Sequence, residues 1–352
     1  MNFCKRCVYP EYAVNLDVSD DGICSSCKVF EEINNISDNE WKIRENKLVE
    51  IIERQKKNNK GYYDCLIPVG GGKDSYWQVH KIKELGFNPL LVTYHGNNYY
   101  PEGQKNLDRM REVFNCDHYI FYPGVDTLIK LNRAGFKKMG DMNWHNHAGI
   151  RIVPAQFAIK FNVPIFIWGE TAWDISGMYS PDDYVEYNKK MVLEHDMRGY
   201  TRKDMIGYEG ITEDEMYWCR MPSDEEFSKS NLRGLYLGNY QKWNPYKQVA
   251  TIKQLYNWEE AREPFQRTYR TISNLDDMHE NGIHDYMKWI KFGYGRATDH
   301  TSKDIRSNIM SRKSAINHVL KRDPIKSIDL KRWLKYVGWD ENYFDMIADS
   351  FR

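Results

Sequence analysis

A run of glycines followed by three polar residues is the part of this 352-residue chain best suited to hold phosphate. Gly70 to Gly72 lack a Cβ and let the backbone approach an anion closely. Lys73 adds a positive charge, and Ser75 can cap the following helix or donate to phosphate. Asp74 would repel phosphate unless a cation lay between them, so we expect it to help hold Mg²⁺. A loop that grips the β and γ phosphates of ATP stabilises departing pyrophosphate, which implies attack on the α-phosphorus.

The glycine loop departs from the two common nucleotide-binding patterns. A Walker A loop needs a glycine where this chain has Ile67, and a serine or threonine after Lys73, where it has Asp74. A dinucleotide loop spreads its glycines into the helix, whereas these are contiguous and precede it. An ordinary strand-to-helix turn remains the alternative to a phosphate site.

Four cysteines near the N-terminus form a C-x2-C-x16-C-x2-C pattern. Cys4 and Cys7 make one pair, and Cys24 and Cys27 make the other. Two such pairs supply the four thiolates of a tetrahedral structural Zn²⁺ site, which leaves no position open for chemistry. The alternatives are four unrelated buried thiols or a redox pair, although neither pair begins a helix of a βαβ unit.

Charge and hydropathy limit the kinds of partner. The chain has 50 basic and 50 acidic residues, so no overall charge draws it to nucleic acid or anionic lipid. It contains no apolar run of the roughly 18 residues that a membrane span needs, and its first residues lack the apolar core of a secretion signal. We therefore expect a cytoplasmic protein with neither a membrane nor a nucleic-acid partner.

The elements that must position the loop alternate between strand and helix patterns. Residues 61–180 carry four strand-like segments separated by helix-like ones, which predicts an α/β fold with a doubly wound, mostly parallel sheet. Residues 1–32 are expected to form a zinc ribbon and residues 33–60 a helical linker. Residues 181–352 are expected to form a mainly helical region that binds substrate or partner.

The glycine loop resembles the S-G-G-x-D-S loop of the PP-loop ATP pyrophosphatases, whose fold is like that of the adenine nucleotide alpha hydrolases. The usual serine is replaced by Val69 or Gly70, and Lys73 is additional. The resemblance implies adenine contacts after the second strand, at Val92 to Tyr94, and further contacts after the fourth, at Gly169 to Thr171. The ATP-binding residues it implies are Val69, Gly70, Gly71, Gly72, Lys73, Asp74, Ser75, Thr93 and Gly169.

A fuller resemblance links the chain to the N-acetyl sugar amidotransferases of surface-polysaccharide and flagellin-sugar biosynthesis. Four segments carry it in order: "FCKRCVYP" with "GICSSC", "PVGGGKDS", "IWGE" and "FGYGRATDHTSKDIR". The resemblance implies an ATP-dependent carbon–nitrogen ligase that forms AMP and pyrophosphate. Its substrate would be a nucleotide-linked N-acetyl sugar for lipopolysaccharide (LPS) O-antigen or flagellin glycan. Ammonia would replace the acetyl oxygen and give an acetamidino sugar.

Sulfur-transferring PP-loop enzymes that modify tRNA are the competing family. Many also carry N-terminal zinc knuckles, but they commonly need a C-x-x-C pair in the core. Here the core has only Cys65 and Cys116, far apart in sequence, and the net charge of zero fits a polyanionic substrate poorly.

Several polar residues outside the loop are candidates for substrate binding and proton transfer. Arg296, His300 and Arg306 lie close enough in sequence to converge on a sugar carboxylate or a phosphate, although a salt-bridged helix start is equally compatible. Lys73 and Asp74 are the predicted catalytic residues of the loop. Glu170 or Asp174 could orient or deprotonate the nitrogen nucleophile, unless they form structural salt bridges.

The sequence also contains two closely spaced histidines, and no glutaminase segment is evident in it. His145 and His147 are predicted to line a polar pocket rather than bind metal, because no further ligands are evident, and His145 could relay a proton. Cys219 lacks the glycine-flanked turn of a nucleophile. Ammonia is therefore expected from a separate glutaminase subunit with a cyclase-like partner, as in imidazole glycerol phosphate synthesis.

Overall fold

The computed structural model describes residues 2–58, 61–169, 177–273, 275–276 and 279–352. Its centre is a sheet of five parallel strands in the order β3-β2-β1-β4-β5. The strands are β1 (Cys65–Pro68), β2 (Pro89–Tyr94), β3 (His118–Phe121), β4 (Ile165–Trp168) and β5 (Arg233–Tyr236).

Helices precede, connect and follow the strands. Those of the first half are α1 (Ser25–Asn35), α2 (Asp38–Asn58), α3 (Lys73–Glu84), α4 (Pro101–Phe114), α5 (Val125–Met139) and α6 (Trp144–Lys160). Short helices come next: α7 (Lys189–Met191), α8 (Arg202–Met205) and α9 (Asp224–Ser230). The C-terminal helices are α10 (Pro245–Tyr256), α11 (Asn281–Phe292), α12 (Arg296–Arg306), α13 (Arg312–Arg322), α14 (Leu330–Val337) and α15 (Glu341–Asp349). A π-helix spans Val192–Asp196, and 3-10 turns span Pro181–Asp183, Tyr208–Gly210, Asp214–Cys219 and Leu237–Asn239.

The sheet is buried on both faces, as expected for a doubly wound fold. Side chains alternate along β1, so Ile67 packs with α3 and α4 on one face while Leu66 packs with α5 and α6 on the other. Ile67 and Leu66 are both fully buried. The prediction of a parallel α/β sheet is confirmed.

The strand order places a switch point beside β1. The chain runs outward from β1 to β2 and β3, then crosses back over the sheet and continues outward through β4 and β5. The connections that leave the carboxyl ends of β1 and β4 therefore diverge to opposite sides, and ligands bind in the crevice that forms at such a point. The glycine loop lies at this position, because it directly follows β1.

Two expectations about domain organisation need correction. The segment expected to be a helical linker, residues 33–60, is described up to residue 58, and α2 within it is not a linker, because its Leu48 and Ile52 are fully buried in the core beside the sheet. The sheet also does not end before residue 180, since β5 pairs with β4 in register Ile165 with Arg233. Helices α10 to α15 lie within residues 181–352, the region expected to be mainly helical, and Asn244 caps α10 by accepting a hydrogen bond from the Lys247 N–H at 3.0 Å.

The four-cysteine segment packs against the C-terminal half of the chain. The cysteines share a buried cluster with Tyr9 and with Tyr294, which precedes α12. Another apolar cluster joins α5 to the C-terminal helices through Phe136 and Trp333, whose ring centroids are 5.1 Å apart. Among the described residues, no helix is both long and apolar enough to cross a membrane.

Candidate active site

Gly71 fixes the shape of the loop between β1 and α3. Its φ of +75° is a left-handed conformation, and a Cβ there would lie 2.7 Å from the backbone nitrogen of Leu107. Its carbonyl accepts a hydrogen bond from the indole nitrogen of Trp258 at 3.0 Å. Gly71 therefore faces the protein interior and holds the loop against α4.

Gly70 and Gly72 face the other way. The Gly70 N–H donates to Ser75 Oγ at 2.9 Å, so the serine closes the loop on itself. Gly72 is the N-cap of α3, and a Cβ there would meet nothing within 4 Å. The free N–H groups and positive dipole end of α3 thus point into open space, an arrangement that suits an anion.

The two charged residues of the loop form an ion pair that uses only one of the two carboxylate oxygens of Asp74. Lys73 Nζ lies 2.5 Å from Asp74 Oδ2. Asp74 Oδ1 is buried and, within the described residues, accepts no hydrogen bond. A buried carboxylate oxygen without a donor fits a cation ligand, so Asp74 is suited to hold Mg²⁺.

Asp276 reaches the same loop from the C-terminal half of the chain. Its Oδ2 is 4.0 Å from the place that a Cβ on Gly70 would take. Desolvation raises the pKa of this carboxyl group, and the negative charge of Asp74 also raises it, whereas Arg296 and Lys73 lower it. Asp276 was not expected from the sequence, because neither its neighbours nor its spacing mark it as a ligand.

The loop forms one wall of a cavity of about 660 Å³. The predicted site residues that line the cavity are Val69, Gly70, Gly72, Lys73, Asp74, Ser75, Arg296 and His300. Val92 and Tyr94 of β2 also line it, at the level where adenine contacts were expected. Residues that lie far apart in sequence are thus brought together at the carboxyl end of the sheet.

Three predicted ATP-binding residues do not line this cavity: Gly71, which faces the interior, Thr93 and Gly169. Thr93 is buried between strands, where its hydroxyl donates to the Val69 carbonyl at 2.6 Å and lies 2.8 Å from His118 Nε2. Its side chain points away from the cavity because neighbouring residues of a strand face opposite sides. Gly169 packs against Gln78, whose Nε2 would be 2.2 Å from a Cβ on residue 169.

Three further candidates lie outside the described residues: Glu170, Thr171 and Asp174.

The start of α12 supplies the wall opposite the loop. Arg296 Nε donates to Asp285 Oδ1 at 2.9 Å, and Asp299 Oδ2 accepts from Lys288 Nζ at 2.6 Å. The sequence left open whether this segment lines a site or forms salt bridges, and it does both. The pairs hold Arg296, Lys288 and Asp299 in place around the cavity that all three line.

His300 is neutral in this setting. Its Nδ1 lies 2.6 Å from the hydroxyl of Thr268. Burial lowers its pKa well below the usual value, and the nearby Arg270 lowers it further. A neutral imidazole at the cavity wall can accept or donate a single hydrogen bond to a bound ligand.

Arg306 does not reach the cavity, so the prediction that it binds substrate needs correction. Arg306 donates through Nη1 to Ser26 Oγ and through Nε to the Ser302 carbonyl at 3.1 Å. Ser26 lies between Cys24 and Cys27. Because Arg306 ends α12 while Arg296 begins it, the two arginines serve opposite ends of that helix.

The four cysteines form a compact buried cluster. Cys4 Sγ is 3.9 Å from Cys27 Sγ, and Cys7 Sγ is 3.7 Å from Cys24 Sγ. Zinc–sulfur bonds of about 2.3 Å in a tetrahedron separate the sulfurs by roughly 3.8 Å. The cluster is therefore compatible with Zn²⁺, and all four ligand atoms lie within 4.8 Å of one another.

The two histidines of α6 have different surroundings. His145 is fully buried, with Nδ1 at 3.1 Å from the Tyr94 hydroxyl and Nε2 at 3.2 Å from Asn132 Nδ2. Its burial lowers its pKa to about 3. His147 lines the cavity, as expected, and burial lowers its pKa to about 4. Asp141 and His284 lie near enough to His147 for the three side chains to bind one metal ion, which the sequence did not indicate.

The C-terminal third of the chain matches a known family. Residues 238–352 match the model described as "LPS biosynthesis protein WbpG-like, C-terminal domain". This region is therefore similar to that family. It includes α12 and Asp276, so the wall opposite the glycine loop belongs to it.

Other comparisons give only weak similarity. An NMN synthetase from Francisella tularensis shares 16% identity over 62% of this chain and 93% of that chain, with a TM-score of 0.32. An NH3-dependent NAD synthetase from Campylobacter jejuni subsp. jejuni NCTC 11168 shares 12% identity over 52% of this chain and 98% of that chain, with a TM-score of 0.30. Neither likeness is close enough to bear on function. No curated protein sequence matches the chain.

Proposed function

We propose that this protein is an ATP-dependent amidotransferase acting on a nucleotide-linked N-acetyl sugar in the biosynthesis of LPS O-antigen or flagellin glycan. It transfers AMP to the oxygen of the N-acetyl group and releases pyrophosphate. Ammonia then adds to the activated carbon, loses a proton, and AMP leaves with the original oxygen. The product is an acetamidino sugar.

One observation carries the proposal. The glycine loop after β1 and the start of α12 face each other across a single cavity, although more than 200 residues separate Gly70 from Arg296. The loop has the features of a phosphate site, and α12 lies in the region similar to an LPS biosynthesis family. A nucleotide and a sugar donor could therefore bind next to each other.

The loop would bind the leaving group of the first step. The N-terminus of α3, Lys73 and the backbone at Gly72 can hold the β and γ phosphates. Asp74, with Asp276 nearby, would hold Mg²⁺, which neutralises charge on the phosphate oxygens when bound. Because the glycines leave this space open, the backbone and the helix dipole act directly on the departing pyrophosphate.

The opposite wall would bind the sugar nucleotide. Arg296, Lys288 and Lys303 line it and can contact the phosphates that link the sugar to its nucleoside. His300, held neutral by burial, can hydrogen-bond to a sugar hydroxyl. The cavity volume of about 660 Å³ falls within the range of roughly 300–1,000 Å³ that small-molecule sites occupy.

Ammonia would come from another protein. Cys219, Cys65 and Cys116 are buried, and none lines the cavity. Burial raises the pKa of each of these thiols, to about 12 for Cys219, so none is a ready nucleophile for glutamine. We propose a separate glutaminase subunit with a cyclase-like partner as the source.

The same three thiols weigh against thiolation of tRNA. Many thiolating enzymes of the competing family need catalytic cysteines in the core. The equal numbers of acidic and basic residues also provide little attraction for a polyanion. Modification of tRNA remains the alternative that the following assay can detect.

The test is pyrophosphate release by the purified full-length chain. The protein is given ATP, Mg²⁺, ammonium and a panel of nucleotide-linked N-acetyl sugars, with tRNA as the contrasting substrate. We expect release with one sugar nucleotide, together with equimolar AMP and no ADP. Glutamine should not replace ammonium unless the partner subunits are added. ADP formation, or turnover on tRNA alone, would contradict the proposal.

A matched pair of variants tests the role of the loop. Asp74→Asn removes a charge from the first turn of α3, and Asp126→Asn removes one from the first turn of α5, where the side chain is exposed. We expect pyrophosphate release to fall at least 100-fold in Asp74→Asn, in line with the loss of a group that stabilises the leaving charge. Asp126→Asn should behave as wild type.

A further inference from the structure

We propose that Asp141, His147 and His284 form a second metal site, which binds an exchangeable divalent transition metal and opens into the cavity. It is distinct from the four-cysteine site and from the expected Mg²⁺ position at Asp74. The proposal does not depend on the proposed function, because binding of the metal can be measured without turnover.

The three residues come from separate elements and converge on one point. Asp141 lies in the turn between α5 and α6, His147 in the first turn of α6, and His284 in the first turn of α11. One ligand atom from each lies within 4.8 Å of the other two. His284 Nδ1 is 2.9 Å from Asp141 Oδ1. Two ligands at about 2.1 Å from one ion would be roughly 3.0 Å apart at a right angle, so this pair already has a suitable separation.

The carboxylate is held in place by groups that are not ligands. The Asn143 N–H donates to Asp141 Oδ1 at 2.9 Å, and Arg198 donates to Oδ2. The Asp141 side chain is 1% exposed. Hydrogen bonds of this kind orient the ligands of protein metal sites and restrict their rotation.

His147 provides the opening to the cavity. It lines the cavity, and its ring nitrogens make no hydrogen bond to any residue that the structure describes. Its ring centroid is 6.0 Å from that of His284. With three protein ligands the ion would keep at least one position for a small donor, such as water or ammonia, that enters from the cavity.

The ligand set selects the class of metal. Two imidazoles and one carboxylate suit Zn²⁺, Co²⁺ or Fe²⁺, whereas Mg²⁺ and Ca²⁺ prefer oxygen ligands. The same set without an ion would be a hydrogen-bonded pair, with His284 donating to Asp141 and His147 left apart. That arrangement is the competing explanation of the cluster.

Nearby charges indicate a moderate affinity. The basic side chains whose charge acts on the two imidazoles include Arg151, Arg198, Lys291 and Arg296. Three of these are paired with carboxylates: Arg296 with Asp285 at 2.9 Å, Arg151 with Asp196 at 3.1 Å, and Arg198 with Asp141 itself. Arg198 competes with a metal for Asp141, and Lys291, whose Nζ donates to the Met139 carbonyl, adds a positive charge, so both oppose a dication. We therefore expect a chelator to remove this metal before it removes Zn²⁺ from the cysteines.

The experiment is a titration of the full chain, loaded with one Zn²⁺ in the four-cysteine site, with Co²⁺. We expect one further equivalent of Co²⁺ to bind in the wild type, with visible absorption from nitrogen and oxygen ligands and no thiolate charge-transfer band. His147→Ala should lose this equivalent and keep its zinc, because its side chain makes no hydrogen bond to the described residues whose loss would unfold the protein. His284→Ala should lose it as well.

His195→Ala serves as the control, because His195 is exposed and lies three residues before Arg198. It should bind Co²⁺ as the wild type does. The proposal is wrong if the wild type takes up no second equivalent, or if His147→Ala and His195→Ala bind the same amount. It is also wrong if the bound Co²⁺ shows thiolate charge transfer, because the metal is then at the cysteines.

Discussion

Removing one hydroxyl group should test whether the four-cysteine segment supports the cavity. Tyr9 is 2% exposed, and its hydroxyl donates to Asp299 Oδ1 at 2.9 Å. Its ring packs edge-on against Tyr294 with centroids 5.9 Å apart, a contact that phenylalanine retains. Tyr9→Phe thus removes a single buried hydrogen bond to a charged acceptor, which contributes about 2 kcal/mol. Lys288 still pairs with Asp299, so the carboxylate does not lose all its partners.

The assay is urea unfolding of the zinc-loaded protein, with Tyr62→Phe as the control. Tyr62 is 77% exposed, so its loss of a hydroxyl should change the free energy of unfolding by less than about 0.5 kcal/mol. We expect Tyr9→Phe to lower it by about 2 kcal/mol and to raise KM for the sugar nucleotide, because Asp299 lines the cavity. KM for ATP should not change. Equal unfolding midpoints for the two variants would refute the reasoning.

Three further perturbations have distinct expected results. Gly71→Ala should destabilise the protein by about 3 kcal/mol, because the left-handed backbone and the overlap with Leu107 both oppose a Cβ. Gly72→Ala should keep wild-type stability in thermal unfolding. It should nevertheless lose pyrophosphate release, since its methyl group enters the open space proposed for phosphate. Burial lowers the pKa of His118 to about 4 from 6.5, so the unfolded chain binds more protons and stability should fall as pH drops from 6.5 towards 4. His118→Gln should make that part of the stability–pH curve less steep, while the other buried histidines keep the rest of the slope. Asp276→Asn should raise the Mg²⁺ concentration needed for half-maximal release roughly tenfold without changing KM for ATP, as measured by titration of Mg²⁺.

The local features of the site could be predicted from the sequence, because they depend on neighbouring residues. The glycine loop, the cysteine pairs and the four strands of residues 61–180 are each encoded within a few residues. The fifth strand is different. Arg233 to Tyr236 contains a glycine and only four residues, and it becomes a strand through pairing with β4. At Gly234 a Cβ would lie 2.5 Å from the ring of Phe166. Close packing therefore explains why this strand contains a glycine, a residue that strands usually disfavour.

Contacts between residues that are distant in sequence could not be predicted from such local patterns. Arg296 and Arg306 looked equivalent because both are basic and ten residues apart, but a helix separates such residues by about 15 Å. One therefore lies at the cavity and the other at the cysteines. No residue close in sequence marks Asp276 or His284 as a site residue. Asp276 lies near Gly70 and His284 contacts Asp141, and both of these belong to the other half of the chain.

Helix α12 links the four-cysteine segment to the cavity. Its first turn lines the cavity through Arg296, while its last residue, Arg306, bonds to Ser26 inside the second cysteine pair. Beyond it, Arg312 donates to the carbonyls of Cys7 and Cys4 at 3.0 Å and 3.4 Å, so the first pair is bonded to α13 as well. Because Tyr9 of the same segment donates to Asp299 in the first turn of α12, a metal that fixes the four cysteines supports both ends of that helix. The metal would then hold the wall formed by α12 at a set distance from the glycine loop, which the sheet positions independently.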